Sequence, residues 1–310
     1  MSHLIALKGL KFISILGFSL KQNQKPDSVV LSNLVLANRL GLAAGLDKNG
    51  DYIDCLSSVG FGFLEIGTIT PKAQAGNAKP RLFRIKPSNA LVNKMGFNNK
   101  GVEHLLLKLK KRKTNIPIGV SIGKNATTPN ELAFEDYIIC LDKIYEYADY
   151  IAVNISSPNT EGLRDLQAEE ELENLIKPLK QRQIELTEVF GYKPLFLKIS
   201  PDNDKESIEN ICKILLRFSI DGLICTNTTI SHDHFSGSGG LSGKPLMGPS
   251  TETLKVARMF LGSEFPIIAS GGVMSKEDYL KKIDAGADLV QIYTGFIYEG
   301  PQLIDEILNK

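Results

Sequence analysis

Hydroxyl, amide and amine side chains recur at the ends of short apolar runs, where their spacing is suited to chemistry. Asn154 and Ser157 follow the run YIAV, Asn227 and Thr228 follow GLIC, and Lys198 lies near the end of LFLKIS. A hydroxyl can move a proton, an amide offers a hydrogen-bond donor and an acceptor, and a buried amine can be a cation or a Schiff-base nucleophile. Burying such groups without partners costs about 1 to 3 kcal/mol each. The pattern therefore predicts that these groups surround a polar ligand.

Glycines follow two further runs near the C-terminus, and they indicate what the ligand carries. Gly271 and Gly272 follow PIIAS, Gly295 follows LVQIYT, and the loop GSGGLSG spans 237–243. Backbone N–H groups at these places in a parallel barrel commonly bind phosphate. A phosphorylated cofactor or substrate is expected, although glycine is also the default residue of tight turns. The spacing leaves two functions open for Lys198, a Schiff-base lysine of an aldolase or a cation beside an electron-rich ring.

A repeated unit must position these side chains: a short β-branched run that ends in small or polar residues, followed by an amphipathic helical stretch. Helical periodicity is present at 173–180 and at 253–261. Such alternation predicts an α/β fold of the (β/α)8 TIM-barrel class, with its active site at the carboxyl ends of the strands. A doubly wound open sheet is the alternative, but no G-x-G-x-x-G follows the first run. The predicted strands are 41–45, 63–68, 118–123, 150–156, 195–200, 222–228, 266–272 and 289–295.

Length, charge and cysteine spacing restrict the class of protein. The 310 residues are 43% hydrophobic and 23% charged, which suits one large α/β domain with a substantial core. A net charge of +1 supplies no long-range field for a polyanion, so no nucleic-acid partner is expected. Cys55, Cys140, Cys212 and Cys225 contain no C-x-x-C pair, which predicts reduced, buried thiols and neither disulfides nor a metal site.

The N-terminal residues form a separate segment. Lys8 and Lys11 interrupt the apolar stretch at 3–21, so it is too short for a membrane-spanning helix. No A-x-A cleavage site follows it, which argues against a secretory signal. Two interpretations of a one-sided apolar helix remain: it packs on the barrel, or it lies in a membrane interface or beside an apolar ligand channel. The predicted domains are a short N-terminal helical extension, 1–24, and the catalytic barrel, 25–310.

Four ordered motifs resemble those of the dihydroorotate dehydrogenase family. They are AAGLDKNG at 43–50, NKMGFNNKG at 93–101, NISSPNT at 154–160 with GLRDLQ at 162–167, and TNTT at 226–229 with GGLSG at 239–243. The resemblance extends over almost the whole chain from about residue 25. It implies oxidation of dihydroorotate to orotate in de novo pyrimidine biosynthesis, with a hydride passed to FMN and electrons then passed to a quinone.

The resemblance also implies which residues bind FMN. The glycines and Thr294 are expected to hold the phosphate. Lys198 is expected near the N1/O2 edge of the isoalloxazine ring, where a cation stabilises the reduced flavin. Ser121 departs from the family pattern, which usually has Asn there. The expected FMN-binding residues are Ala44, Gly45, Lys48, Thr68, Ser121, Asn154, Lys198, Thr226, Gly243, Gly272, Tyr293 and Thr294.

For the substrate, the resemblance implies a pocket of amides that match the imide-like edge of orotate. Ser157 is the expected catalytic base, which removes the C5 proton on the face opposite the flavin, with Thr160 in the proton path. The loop 158–167 is expected to close over the substrate, and Glu161 replaces the Pro usual there. The expected substrate-binding residues are Lys48, Asn93, Met95, Gly96, Phe97, Asn154, Asn159, Asn227 and Thr228.

Serine at position 157 resembles the membrane-associated, quinone-reducing class, because the main soluble class has Cys there. This class implies a peripheral contact of the N-terminal helix with the cytoplasmic face of the inner membrane. The segment 3–11 resembles the second helix of that class, and most of the first helix has no counterpart. Rival interpretations are a soluble-class enzyme using fumarate or NAD, a barrel aldolase using Lys198, and a catalytically silent binding barrel.

Overall fold

The structure is a computed structural model that describes residues 7–12, 28–232 and 238–309. Its strands are short, as is usual in barrels, and several begin with β-branched or aromatic residues. In chain order they are β1 (Val29–Leu31), β2 (Leu34–Leu36), β3 (Leu40–Leu42), β4 (Phe63–Ile69), β5 (Leu82–Ile85), β6 (Ala90–Asn93), β7 (Ile118–Ile122), β8 (Tyr150–Asn154), β9 (Leu195–Ile199), β10 (Gly222–Cys225), β11 (Gly240–Gly243), β12 (Ile267–Ser270) and β13 (Leu289–Ile292).

Helices follow most barrel strands and cover the outside of the sheet. Two of them begin at side-chain caps: Asp204 accepts a hydrogen bond from Ser207 N at 2.8 Å, and Ser275 accepts one from Asp278 N at 3.2 Å. The helices are α1 (7–12), α2 (Ile53–Ser57), α3 (Val102–Leu109), α4 (Ala133–Ile144), α5 (Glu169–Phe190), α6 (Lys205–Arg217), α7 (Met247–Leu261), α8 (Lys276–Asp284), α9 (Thr294–Glu299) and α10 (Pro301–Leu308).

Eight parallel strands close into one barrel, so the predicted TIM barrel is confirmed. Following the sheet, the order is β3, β4, β7, β8, β9, β10, β12 and β13, and β13 pairs with β3 to complete the circle. Each of these strands overlaps a predicted one, and the predicted helical stretches lie within α5 and α7. The four cysteines are free and buried, as expected.

Two smaller sheets were not predicted. A hairpin of β1 and β2 turns at Ser32 and Asn33, which both have positive φ, and it packs at the amino-terminal end of the barrel. A three-stranded antiparallel sheet has the order β11-β6-β5. Leu82 and Leu91 of this sheet line the cavity at the opposite end of the barrel, so the sheet is part of the wall of the candidate site.

An apolar layer fills the amino-terminal half of the barrel interior. Its aromatic rings meet edge to face, with the centroid of Tyr150 at 6.2 Å from that of Phe63 and at 5.5 Å from that of Phe196. Each ring lies against a glycine of the neighbouring strand, because any side chain there would overlap the ring. The pairs are Phe63 with Gly41, Tyr150 with Gly119 and Phe196 with Gly222. Within this layer the Tyr150 hydroxyl is a polar group, and it donates to Glu65.

The N-terminal segment is described only at 7–12, which is helical; the rest of 3–21, the predicted domain boundary at 24 and Gly237 lie outside the described residues. Leu7 is buried in the core cluster, and Lys11 Nζ donates to Asp51 O at 3.1 Å. Phe12 is 64% exposed. In the described parts of the chain, no helix is long and apolar enough to cross a membrane.

The glycine–ring contacts predict a measurable cost of overpacking. An ideal Cβ on Gly119 would lie 2.0 Å from Tyr150 Cζ, so we expect Gly119→Ala to lower the free energy of unfolding by about 1 to 3 kcal/mol. Gly248, within α7, has no atom within 4 Å of such a Cβ, and Gly248→Ala should leave stability equal or slightly higher. Urea unfolding of both variants measures the difference. Equal changes in the free energy of unfolding for the two variants would show that the Tyr150 ring can shift without loss of stability.

Candidate active site

A cavity opens at the carboxyl ends of the barrel strands, where parallel barrels place their ligands. It is continuous with solvent, and the space between its lining residues is about 1040 Å³ when the open solvent at its mouth is included. Every residue that was predicted to bind FMN or substrate lines it, with the exception of Ser121, and so does the predicted base, Ser157. The structure therefore brings the predicted residues together at one place, while the role of each stays a prediction.

The floor of this cavity is a buried ion pair inside the barrel. Lys198 Nζ donates to Glu65 Oε1 at 3.1 Å, and the two side chains are 6% and 0% exposed. Glu65 Oε2 accepts hydrogen bonds from Gln291 Nε2 at 2.7 Å and from the Tyr150 hydroxyl at 3.1 Å. Burial, and next the charge of Glu65, raise the pKa of Tyr150 well above its usual value, so this hydroxyl remains a donor. Three donors thus satisfy a carboxylate that would be costly to bury alone.

A chain of hydrogen bonds fixes the amide at the end of β8. Asn154 Nδ2 donates to Thr68 Oγ1 at 2.8 Å, and Asn154 Oδ1 accepts from Asn227 Nδ2 at 3.3 Å. Thr68 Oγ1 is also 2.8 Å from Ser121 Oγ. Ser121 is fully buried and does not line the cavity. Ser121 thus supports Thr68, which does line the cavity, and a contact of Ser121 with a cofactor stays a prediction.

Amides and an amine line another part of the cavity, the amide wall. Asn159 Nδ2 donates to Asn93 Oδ1 at 2.8 Å, and Lys48 Nζ donates to Asn98 Oδ1 at 2.8 Å. Burial, and next the charge of Arg81, lower the pKa of Lys48 to about 7. A bound anion next to this amine would favour its charged form again. The wall is therefore suited to a planar polar molecule that carries a carboxylate.

Glycines and hydroxyls form the end of the cavity next to α7 and α9. Gly243 and Gly272 have φ of +95° and +88°, a conformation that side chains rarely adopt. A Cβ on Gly272 would also lie 2.2 Å from Met247 Cα, so the backbones are in close contact there. Ser242 Oγ is 2.8 Å from Thr294 Oγ1. Backbone N–H groups and hydroxyls are the groups that commonly hold a phosphate.

The loop after β8 carries Ser157 and is held by one arginine. Arg164 Nε donates to Ser156 O at 3.1 Å, and its Nη2 donates to Thr228 O at 2.8 Å. Its Nη1 pairs with Asp202 Oδ2 at 2.6 Å. Arg164 therefore ties the loop of the predicted base to the loop after β10 that carries predicted substrate residues.

Several functional candidates were missed by sequence reasoning. Glu65 and Gln291 lie within strands rather than at their ends, and Arg164 lies in a loop that was considered only as a lid. A signal was present for the first two: FLEIGT and LVQIYT each place one polar residue inside an apolar strand. A charge at such a place needs a buried partner, and Lys198 was the available cation.

The fold and the cavity together define a class of protein. A closed (β/α)8 barrel with a lysine-based floor, an amide wall and a glycine-rich end is typical of barrel enzymes that bind polar ligands at the carboxyl ends of their strands.

Comparisons with known proteins agree with this class. The family model described as dihydroorotate dehydrogenase matches residues 28–310. Two relatives named dihydroorotate dehydrogenase (quinone) are each 51% identical: that of Shewanella pealeana over 100% of this chain and 94% of its own, and that of Shewanella sp. strain MR-4 over 99% and 94%. The chain belongs to the dihydroorotate dehydrogenase family, which implies a flavin cofactor in general.

Solved structures give the same result. The Eimeria tenella enzyme, described as DHODH in complex with ferulenol, has a TM-score of 0.91 at 34% identity and covers 98% of this chain and 89% of its own. The ligand-free form from the same organism has a TM-score of 0.90 at 35% identity, over 98% and 92%. The barrel and its added sheets are therefore arranged as in these proteins.

The arginine in the loop after β8 gives a prediction that does not depend on any ligand. Arg164→Gln removes the ion pair to Asp202 and the bonds to two carbonyl groups, so we expect faster amide hydrogen exchange in 155–167 and in 226–229. Lys213→Gln removes an exposed ion pair to Glu209 on α6 and should leave both segments unchanged. Hydrogen-exchange mass spectrometry measures both variants. Unchanged protection in Arg164→Gln would mean that the loop is held by other contacts.

Proposed function

We propose that this protein oxidises dihydroorotate to orotate in pyrimidine biosynthesis, with FMN as the hydride acceptor and a quinone as the final electron acceptor. The observation that carries the proposal is the arrangement of one cavity between a buried lysine floor, Lys198, and an amide wall next to Ser157. Family membership over 28–310 and the names of the relatives support the same reaction.

The charges of the cavity suit FMN and a carboxylate substrate. Its described lining contains two lysines, Lys48 and Lys198, and neither Asp nor Glu. Thr228 Oγ1 is buried and has no hydrogen-bond partner within the described chain, which is typical of a group that binds a ligand. Gly243, Gly272 and Thr294 would hold the phosphate, and Lys198 would lie beside the ring. When bound, FMN would accept the hydride and pass on the electrons.

The substrate is held and deprotonated by residues of the wall. Asn93, Asn159 and Asn227 would bind the amide edge of dihydroorotate, and Lys48 would bind its carboxylate. Ser157 Oγ would take the C5 proton while the hydride leaves C6, so that a C5–C6 double bond forms. Thr160 Oγ1, in the same loop, is buried without a partner in the described chain. It would be the next acceptor of the proton that Ser157 removes.

Two rival functions are less well supported. An aldolase would need a Lys198 amine that is free to attack a carbonyl carbon, whereas this amine is paired with Glu65 at 3.1 Å. A soluble-class enzyme using fumarate or NAD would be expected to have Cys at position 157, where this chain has Ser.

The proposal is tested by the absorption spectrum of the purified protein. We expect a flavin spectrum with one FMN released per chain on denaturation, anaerobic bleaching by dihydroorotate, and faster reoxidation by a quinone than by fumarate or NAD. A colourless protein that folds, or a flavin that dihydroorotate does not bleach, would refute the proposal. Reoxidation by fumarate or NAD alone would indicate the soluble-class alternative.

The role of Ser157 gives a separate prediction. Ser157→Ala should retain the flavin but slow its bleaching by dihydroorotate by roughly 10²-fold or more, the scale of a lost general base. Ser231→Ala is the matched control, since Ser231 is exposed and does not line the cavity, and its bleaching rate should equal that of the parent protein. Anaerobic stopped-flow absorbance measures both rates. An unchanged rate in Ser157→Ala would assign the base to another residue.

The N-terminal segment is proposed to make peripheral contact with the cytoplasmic face of the inner membrane and to guide the quinone. Lys8 and Lys11 are exposed on α1 beside the exposed Phe12, a combination suited to a membrane interface. A path between α1 and the barrel would let an apolar quinone approach the flavin without displacing orotate from its polar pocket.

Deletion of residues 1–22 tests this part of the proposal. We expect bleaching by dihydroorotate to stay nearly intact, because no cavity residue is removed, and reoxidation by long-chain quinones to weaken more than reoxidation by small acceptors. Separate stopped-flow measurements of the two half-reactions distinguish the outcomes. Equal losses with every acceptor would mean that the segment serves folding only, and no loss would mean that quinone enters elsewhere.

A further inference from the structure

The floor of the cavity contains a buried group whose partner is missing. Gln291 is fully buried and lines the cavity, and its Oε1 has no hydrogen-bond partner within the described chain. Its Nε2 donates to Glu65 Oε2 at 2.7 Å and lies 3.3 Å from the Tyr150 hydroxyl. The amide nitrogen is therefore satisfied by these two groups, whereas the unpartnered carbonyl oxygen belongs to a residue that lines the cavity and is available to a ligand there.

Glu65 therefore orients two different groups at the same floor. One carboxylate oxygen holds the Lys198 ammonium at 3.1 Å, and the other holds the amide nitrogen of Gln291. The cavity is thus lined by a charged donor, the Lys198 ammonium, and by a residue with a neutral acceptor, Gln291. A flavin presents the complementary groups on its pyrimidine ring, where N1 and O2 accept hydrogen bonds and N3–H donates one.

We propose that Glu65 is a positioning residue that maintains Lys198 as an ammonium, and that Gln291 is a further cofactor-binding residue whose carbonyl accepts from the flavin ring. This inference rests on the proposed function, because it requires a flavin in the cavity. Glu65 itself is covered by its three donors and does not line the cavity, so it acts through Lys198 and Gln291.

The Gln291 part is tested by flavin affinity with a matched control. Gln291→Leu and Tyr150→Phe each remove one donor to Glu65 Oε2, but only Gln291 lines the cavity. We expect Gln291→Leu to raise the flavin dissociation constant about tenfold, the scale of one hydrogen bond, and Tyr150→Phe to leave it within about twofold. Equal effects of the two variants would overturn this part, since both would then act only through the network.

The Glu65 part is tested by sulfite, which adds to bound flavin and places negative charge on the N1/O2 side of the ring. In Glu65→Gln the buried ammonium has no counter-charge, so it loses its proton as the pH rises. We expect the ratio of the sulfite dissociation constants, Glu65→Gln over the parent protein, to rise tenfold or more between about pH 6 and about pH 9. A ratio that does not change with pH would overturn this part.

Other titratable groups near the floor would not make the ratio of sulfite dissociation constants depend on pH. Burial raises the pKa of Tyr293 to about 12, and that of Tyr150 lies well above its usual value, so neither ionises in this range. Lys48 does titrate, with a pKa of about 7, but it is common to both proteins and cancels in the ratio. Adding Lys198→Met to Glu65→Gln should abolish the pH dependence of the ratio.

The outcomes separate this inference from the proposed function. If the parent protein holds no flavin, the proposed function fails. If it holds a flavin but neither variant has the expected effect, only the inference fails. Should Glu65→Gln not fold, as judged by circular dichroism, the pair Gln291→Leu and Tyr150→Phe decides alone, and equal flavin affinities would overturn the inference.

Discussion

The buried ion pair between Lys198 and Glu65 is the interaction on which the candidate site depends. It lies between an apolar layer of aromatic rings below and the cavity above, so water has little access to it. Breaking one side of such a pair is strongly destabilising, by about 3 to 5 kcal/mol, because the other charge stays buried. Through Tyr150 and Gln291 the same carboxylate connects four barrel strands, β4, β8, β9 and β13. The closure of the barrel and the geometry of the cavity floor therefore depend on the same hydrogen bonds to Glu65.

The two sides of the cavity are built differently, and the difference suits the proposed chemistry. The floor consists of strand residues with hydrogen-bonded side chains, which can keep a cofactor in one orientation through many turnovers. The amide wall consists largely of loop residues, among them Ser157, Asn159 and Asn227, held by side-chain bonds such as those of Asn159 and Arg164. Loops can open at a lower free-energy cost than strands, which allows substrate to enter and product to leave.

The barrel could be predicted from sequence because its strands are apolar runs that alternate with helical periodicity. The β11-β6-β5 sheet could not, since its strands have four residues each and Gly240 pairs with Asn93 across a long separation in the chain. Strand-end residues were predictable as cavity residues, whereas Glu65 and Gln291 face each other only after β4 and β13 have joined the same closed sheet. Ser121 was named as a cofactor residue because its position matches that of an Asn in the family, and in this structure its hydroxyl pairs with Thr68.

The central claim is that one cavity places a flavin on the lysine floor and the substrate against the amide wall. A crystal structure of the protein with FMN and orotate tests this most directly. The account predicts the FMN phosphate at Gly243, Gly272 and Thr294, the ring against Lys198 and Gln291, and orotate between that ring and Ser157. An FMN ring away from Lys198, or orotate bound on the side of the ring away from Ser157, would contradict it.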